Sequence, residues 1–144
     1  MRLVVDTNVL VGELLRVKGR GRLADERLEL FIPEQMWEES QYEIPRRVAR
    51  IGAKRGLSVH ESSALTELAL GAIEANVEKV PAVIYAAHEA EAISRTVRDR
   101  DDWPVVACAM ALLADVWTND KDFLGTGIAT WTTQTLDGWL LRHT

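Results

Sequence analysis

Asp99-Arg100-Asp101-Asp102-Trp103-Pro104 leads into an uncharged run, Val105 to Ala114, and then, past Asp115, into Val116-Trp117-Thr118-Asn119-Asp120-Lys121-Asp122-Phe123. The run is apolar on every face, which predicts a helix covered on more than one side. Pro104 falls in its first turn, where a missing N–H costs little. Asp101 or Asp102 suits the cap, because a carboxylate accepts from the free N–H groups of a first turn. Val116, Trp117 and Thr118 suit a short buried strand. Asn119 to Asp122 is then a polar loop at that strand's carboxyl end, where open α/β sheets place their sites.

Working outward, Arg2 to Val5 reads as a buried first strand that ends at Asp6-Thr7-Asn8. A helix follows over Val9 to Arg16. Lys18-Gly19-Arg20-Gly21-Arg22 reads as a basic, glycine-broken loop. It is no dinucleotide fingerprint, since the third glycine is absent and no strand directly precedes it. Leu28 to Ile32 is the second expected strand, and Pro33 opens a helix reaching about Lys54. That helix starts acidic (Glu34, Glu38, Glu39, Glu43) and ends basic (Arg46, Arg47, Arg50, Lys54, Arg55), as the helix dipole favours. Gly56 is its expected stop.

Ser58 with Glu61 forms a capping-box pattern for a helix to Asn76. Val77 to Pro81 is expected to be extended, Ala82 to Val97 helical, and Gly125 to Trp131 a turn and last strand. Thr133 to Arg142 closes the chain as a helix. Strands alternating with helices predict a parallel sheet covered on both faces, within one domain spanning 1–144.

Composition narrows the classes further. The chain has 144 residues, 47% of them hydrophobic, which excludes disorder and allows one good core. A net charge of −5 argues against a generally basic nucleic-acid binder, so any contact with phosphates must come from a local patch. The one cysteine, Cys108, lies in the apolar helix and reads as a small buried hydrophobe. With no disulfide within one chain, no signal peptide and no run long enough to span a bilayer, a cytoplasmic location is expected.

Four acids follow strands or open helices: Asp6, Glu39, Asp102 and Asp120, with Asp99 and Asp122 as companions. Carboxylates that converge from separate strand ends make an all-oxygen site suited to magnesium or manganese. Each acid also has an ordinary reading. Asp6 and Asp102 suit helix caps, Asp120 suits a turn, and Glu39 stands with Glu38 and Glu43 on the acidic half of a helix. His60, His88 and His143 show no zinc spacing, and Ser62 and Ser63 lack a nucleophile elbow. Arg46, Arg47 and Arg50 recur at helical spacing and suit either phosphates or a solvated face.

The ordered set resembles a known family. Asp6-Thr7-Asn8 after a first strand looks like the opening of the PIN-domain ribonucleases. Pro33 followed by Glu39 resembles their second acidic block. Asp99 and Asp102 before an apolar helix, then Trp117-Thr118-Asn119-Asp120-Lys121-Asp122-Phe123, are similar to the third and fourth. Many relatives have proline after the aspartate matching Asp99; here it is Arg100.

The resemblance implies a three-layer α/β/α sandwich around a central parallel sheet. It implies a metal-dependent endoribonuclease using Mg2+ or Mn2+, in which a water attacks in line and expels the ribose 3′-oxygen. Asp6, Glu39, Asp102 and Asp120 would be its catalytic acids and metal ligands, with Asp99 and Asp122 as further ligands. Thr7, Asn8, Thr118 and Asn119 would orient those acids, and Arg46, Arg47 and Arg50 would hold RNA. The expected partners are the RNA substrate, an antitoxin protein if the chain is the toxin of a pair, and a second copy in a homodimer. The alternative is a catalytically weak PIN scaffold that binds RNA or a protein.

Overall fold

The computed structural model describes residues 1–144. Its first half carries β1 (Arg2–Val5), α1 (Thr7–Leu14), α2 (Val17–Leu23), β2 (Glu29–Pro33), α3 (Glu34–Arg55) and α4 (Val59–Asn76). The second half carries β3 (Val77–Val80), α5 (Ala82–Tyr85), α6 (Glu89–Arg95), α7 (Trp103–Leu112), β4 (Asp115–Trp117), β5 (Thr130–Trp131) and α8 (Thr133–Arg142).

The strands form one sheet in the order β3-β2-β1-β4-β5, and every pairing is parallel. Helices on both faces explain why β1 and β2 are buried almost throughout. α7 packs on β1 and β2, with α5 and α6 against it, while α1 packs with α2 and α3. This is the expected three-layer α/β/α sandwich. Val105 to Ala109 of α7 are all buried, as a helix without a polar face must be, and Cys108 is a free thiol within that core. Burial pushes the Cys108 thiol up to about 12, so it is inert at neutral pH.

Several local rules hold. Ser58 and Glu61 make the reciprocal capping box. Gly56 ends α3 at φ 69°, a conformation glycine adopts without a Cβ penalty. Pro33 is the last residue of β2, paired with Val80, rather than the first of α3. A proline at a strand terminus loses little from the ladder.

Two further expectations are corrected. Lys18 to Arg22 is part of helix α2, not a loop. Glycine is a poor helix former, but tertiary contacts outweigh propensity here. A Cβ on Gly19 would collide with the Glu13 backbone, so the glycine allows α2 to lie against α1. Arg20 then donates to the Leu14 carbonyl at 2.7 Å, and Arg22 reaches the buried Glu13. The segment from Ala82 is also not one helix to Val97. It tightens into a 3-10 turn at Ala86–His88, and α6 ends at Arg95. There the Thr96 hydroxyl donates back to the Ala92 carbonyl at 3.0 Å, a bond that competes with helix continuation.

Candidate metal centre

Parallel pairing of β1 with β4 sets Val5 opposite Trp117, so the residues that follow each strand leave the same edge of the sheet together. The Asp6 N–H donates to the Trp117 carbonyl at 3.0 Å, continuing the ladder one step. The Thr118 hydroxyl donates to Asp6 Oδ2 at 2.9 Å and accepts from the Asp120 N–H at 3.0 Å. One threonine thus ties the first acid to the backbone of the fourth. Asp120 Oδ1 in turn accepts from the Asp122 N–H at 2.9 Å, which closes the loop into a tight turn.

The third block enters from α7. Asp99 accepts from the Asp101 N–H and starts a 3-10 turn, Arg100–Asp102, that runs into the helix. Asp102 occupies the α7 cap position, but its side chain makes no capping bond. The carboxylate is therefore not used as a cap and is free to face the other acids. One carboxylate oxygen from each of Asp99, Asp102 and Asp122 lies within 4.8 Å of the others. Arg98 donates to the Lys121 carbonyl at 3.3 Å, fastening the Asp99 segment to the Asp122 turn.

The electrostatics follow from this crowding. Asp102 is pushed up to about 7, first by burial and then by the charges of Asp99, Asp6, Asp120 and Asp122. Asp6 is only 5% exposed, and its pKa is also raised. Burial is the main cause, while hydrogen bonds from Thr118 and from the Asn8 and Thr7 backbone oppose it. Asp6, Asn8, Val9, Asn119 and Asp120 line a cleft of about 310 Å³ beside these acids. A larger cavity, about 610 Å³, lies between α3 and α4 and contains a single acid, Glu67. The acids gather at the smaller one.

Of the six acids singled out in the sequence, Asp6, Asp99, Asp120 and Asp122 all bear on the charge of Asp102, and Asp99 and Asp122, the two companions, form the carboxylate triad with it. Glu39, the sixth, is exposed on α3. Glu43 is less exposed and lies one helical turn before Arg47. Arg47 Nη2 donates to Asn8 Oδ1 at 2.8 Å, which brings a cation to the rim of the cleft. Arg46 and Arg50 are exposed on the same helix. The Thr7 hydroxyl is buried without a hydrogen-bond partner next to Asp6.

Sequence reasoning missed Thr133, which meets Asn119 from α8: its N–H donates to Asn119 Oδ1 at 3.0 Å. The available signal was Thr132-Thr133-Gln134-Thr135, a helix start immediately after a strand.

A donor set of carboxylates alone, crowded enough to hold a proton on Asp102 near neutral pH, fits a hard divalent cation such as Mg2+ or Mn2+. It offers nothing soft for zinc or copper.

Known structures share this arrangement of elements. A chain of VapBC2 from Rickettsia felis, solved bound to a DNA fragment from its promoter, matches with a TM-score of 0.62 at 15% identity. That match covers 92% of this chain and 98% of the other. A chain of FitAcB from Neisseria gonorrhoeae matches with a TM-score of 0.56 at 20% identity, covering 91% and 96%. A chain of a toxin-antitoxin complex from Klebsiella pneumoniae matches with a TM-score of 0.53 at 20% identity, covering 85% and 91%. At such identities the likeness is one of fold. Comparison with curated proteins finds no match. A family model described as the PIN domain matches residues 4–140, nearly the whole sandwich and every acid of the cleft, and this chain therefore belongs to the PIN-domain family.

Proposed function

We propose that this protein is a divalent-metal-dependent endoribonuclease. The observation that carries the reading is the convergence of Asp6, Asp99, Asp102, Asp120 and Asp122 at one edge of a parallel sheet. Asp99, Asp102 and Asp122 would hold the ion together with Asp6 and Asp120 and, as the family resemblance implies, Glu39. When bound, Mg2+ or Mn2+ supplies a Lewis acid at the scissile phosphate and a water acidic enough to act as nucleophile.

The chain's own residues do the rest. Thr118 fixes the Asp6 carboxylate and the Asp120 backbone at once. Asn8 sits between the acids and Arg47, whose guanidinium brings positive charge to a rim that would otherwise repel a polyanion. Water is the nucleophile in this reading, so the residues of the cleft need only hold and orient it.

The fold likeness to chains of toxin-antitoxin complexes supports a toxin role with an antitoxin partner. A second copy of the chain as a homodimer partner is part of the same proposal. No helix is long and apolar enough to cross a membrane, and we place the activity in the cytoplasm. The alternative reading is a catalytically weak scaffold that binds RNA or a protein.

Purified protein is expected to cleave single-stranded or structured RNA with magnesium or manganese present, and to stop when the ion is chelated. Asp6→Asn is expected to lose most of that activity. Cleavage that survives both the chelator and Asp6→Asn would overturn the nuclease reading. Manganese and RNA binding without cleavage would select the scaffold.

The arginines give a separate expectation. Replacing Arg46, Arg47 and Arg50 together with alanine weakens RNA binding and flattens its dependence on salt. Each lost phosphate contact lowers the slope of log affinity against log salt by roughly 0.7 for a single strand. Filter binding at several salt concentrations reads both quantities. An unchanged affinity and slope would make this helix face merely solvated.

A further inference from the structure

We infer that Thr133, the first residue of α8, is a positioning residue for Asp120, acting through Asn119. The inference rests on the metal-site reading above and adds a residue outside the acid motifs.

Three hydrogen bonds meet at Thr133. Its N–H donates to Asn119 Oδ1 at 3.0 Å, and its hydroxyl accepts from Asn119 Nδ2 at 3.3 Å. The same hydroxyl accepts from Trp117 Nε1 at 3.1 Å. Both ends of the Asn119 amide are thus satisfied by one residue, and the fully buried Trp117 finds its indole partner there. Asn119 directly precedes Asp120. On the other flank, Thr118 binds Asp6 and the Asp120 N–H. The segment Trp117–Asp120 is therefore gripped from β1 on one side and from α8 on the other.

α8 is a firm point to grip from. Thr132 and Thr135 close a capping box at its start, and Leu136 is fully buried. Asp137 takes two hydrogen bonds from Arg22, at 2.6 and 3.0 Å. Remove Thr133 and the side chain of Asn119 loses its anchors, which leaves Asp120 held from one flank only. A hard cation binds well only where its oxygens are already placed, so the loss should appear in metal affinity.

The fold offers a clean substitution. Thr133 is the first helical residue, where proline is favoured, and Thr132 sits at φ −81°, ψ 162°, a conformation that suits the residue before a proline. Thr133→Pro removes the N–H and the hydroxyl while keeping the helix start. Thr133→Ser keeps both groups. Trp117→Phe removes the indole bond alone and leaves Asn119 held.

Calorimetric titration of the metal-free full chain with manganese tests the inference, with circular dichroism and thermal melts run beside it. Thr133→Pro should bind manganese at least about tenfold more weakly than wild type. Thr133→Ser should bind within about threefold of wild type, and so should Trp117→Phe, even though its melting temperature falls. Wild-type affinity in Thr133→Pro would overturn the inference and leave the metal site standing. An equal loss in Trp117→Phe would overturn it too, by tracing the effect to general stability. A wild-type protein that binds no manganese would remove the metal-site reading itself, and this inference with it. Should Thr133→Pro fail to fold, Thr133→Val keeps the N–H and tests the hydroxyl alone. A loss of about threefold or more supports the inference, and none overturns it.

Discussion

Asp102→Asn is expected to cut metal-dependent cleavage by at least about 100-fold and, in the absence of metal, to make the protein more stable at pH 8. The two effects share one cause. Asp102 is held at about 7, well above the ordinary carboxylate value, by burial and by four neighbouring aspartates. An unfolded chain releases that proton near pH 4, so between these values the folded state holds more protons than the unfolded one. Stability then falls as pH rises from about 4 to about 7, and stays lower above that. The carboxyl is partly open to solvent, which screens its neighbours, so about 1–2 kcal/mol of the penalty survives.

Metal-free wild type should therefore melt lower at pH 8 than at pH 5.5, and Asp102→Asn should flatten that difference. Manganese should stabilise wild type more at pH 8 than at pH 5.5, because the proton on Asp102 must leave before an ion binds. The shift should shrink in the mutant, since a ligand stabilises only through the site it occupies. Melts of both proteins at the two pH values, each with and without manganese, make the measurement. Identical slopes and identical manganese shifts would remove Asp102 from the metal site and reduce it to the start of α7.

The second large effect lies away from the acids. Glu13 is 4% exposed and forms an ion pair with Arg22 at 2.5 Å, and Arg22 also grips Asp137. The Arg22 guanidinium holds the Asp137 carboxyl below its ordinary range. This cluster locks α1, α2 and α8 together. Arg22→Met would leave Glu13 charged, buried and without its cation, which costs about 3–5 kcal/mol. For a chain of this size that corresponds to a fall in melting temperature on the order of 10 °C.

Adding Glu13→Leu to Arg22→Met should restore much of the loss. The penalty comes from a stranded charge, and a buried pair is often no better than apolar packing of similar volume. Melts of the single and double variants separate these terms. If the double variant is as unstable as Arg22→Met alone, the cluster acts through shape and not through charge.

Much of this fold was legible because it depends on neighbours in the chain. A helix apolar on all sides has to be buried, so Val105 to Ala109 announced their own place in the core. Ser58 with Glu61 and Gly56 at φ 69° are rules that act within a few residues, and they held. Asp6 after a buried strand and Asp120 after another placed two acids at strand ends, and a parallel sheet puts such ends on one edge.

What the sequence left open depends on contacts across the whole chain. Thr118 and Asp6 are 112 residues apart, and only the pairing of β4 with β1 brings hydroxyl and carboxylate together. Lys18 to Arg22 looked like a loop because glycine is a poor helix former. The decisive fact was the close approach of α2 to Glu13, a property of packing and not of composition. Glu39 shows a further limit: its spacing from Pro33 matches the motif, but spacing along a helix does not say which face meets the cleft. Only the fold shows that Asp99 and Asp122 close on Asp102. Residue types determined that this chain carries an acid cleft on an α/β sandwich. Sheet order and helix packing, which act between residues far apart in the chain, decided which acids meet there and that α8 holds the loop that carries one of them.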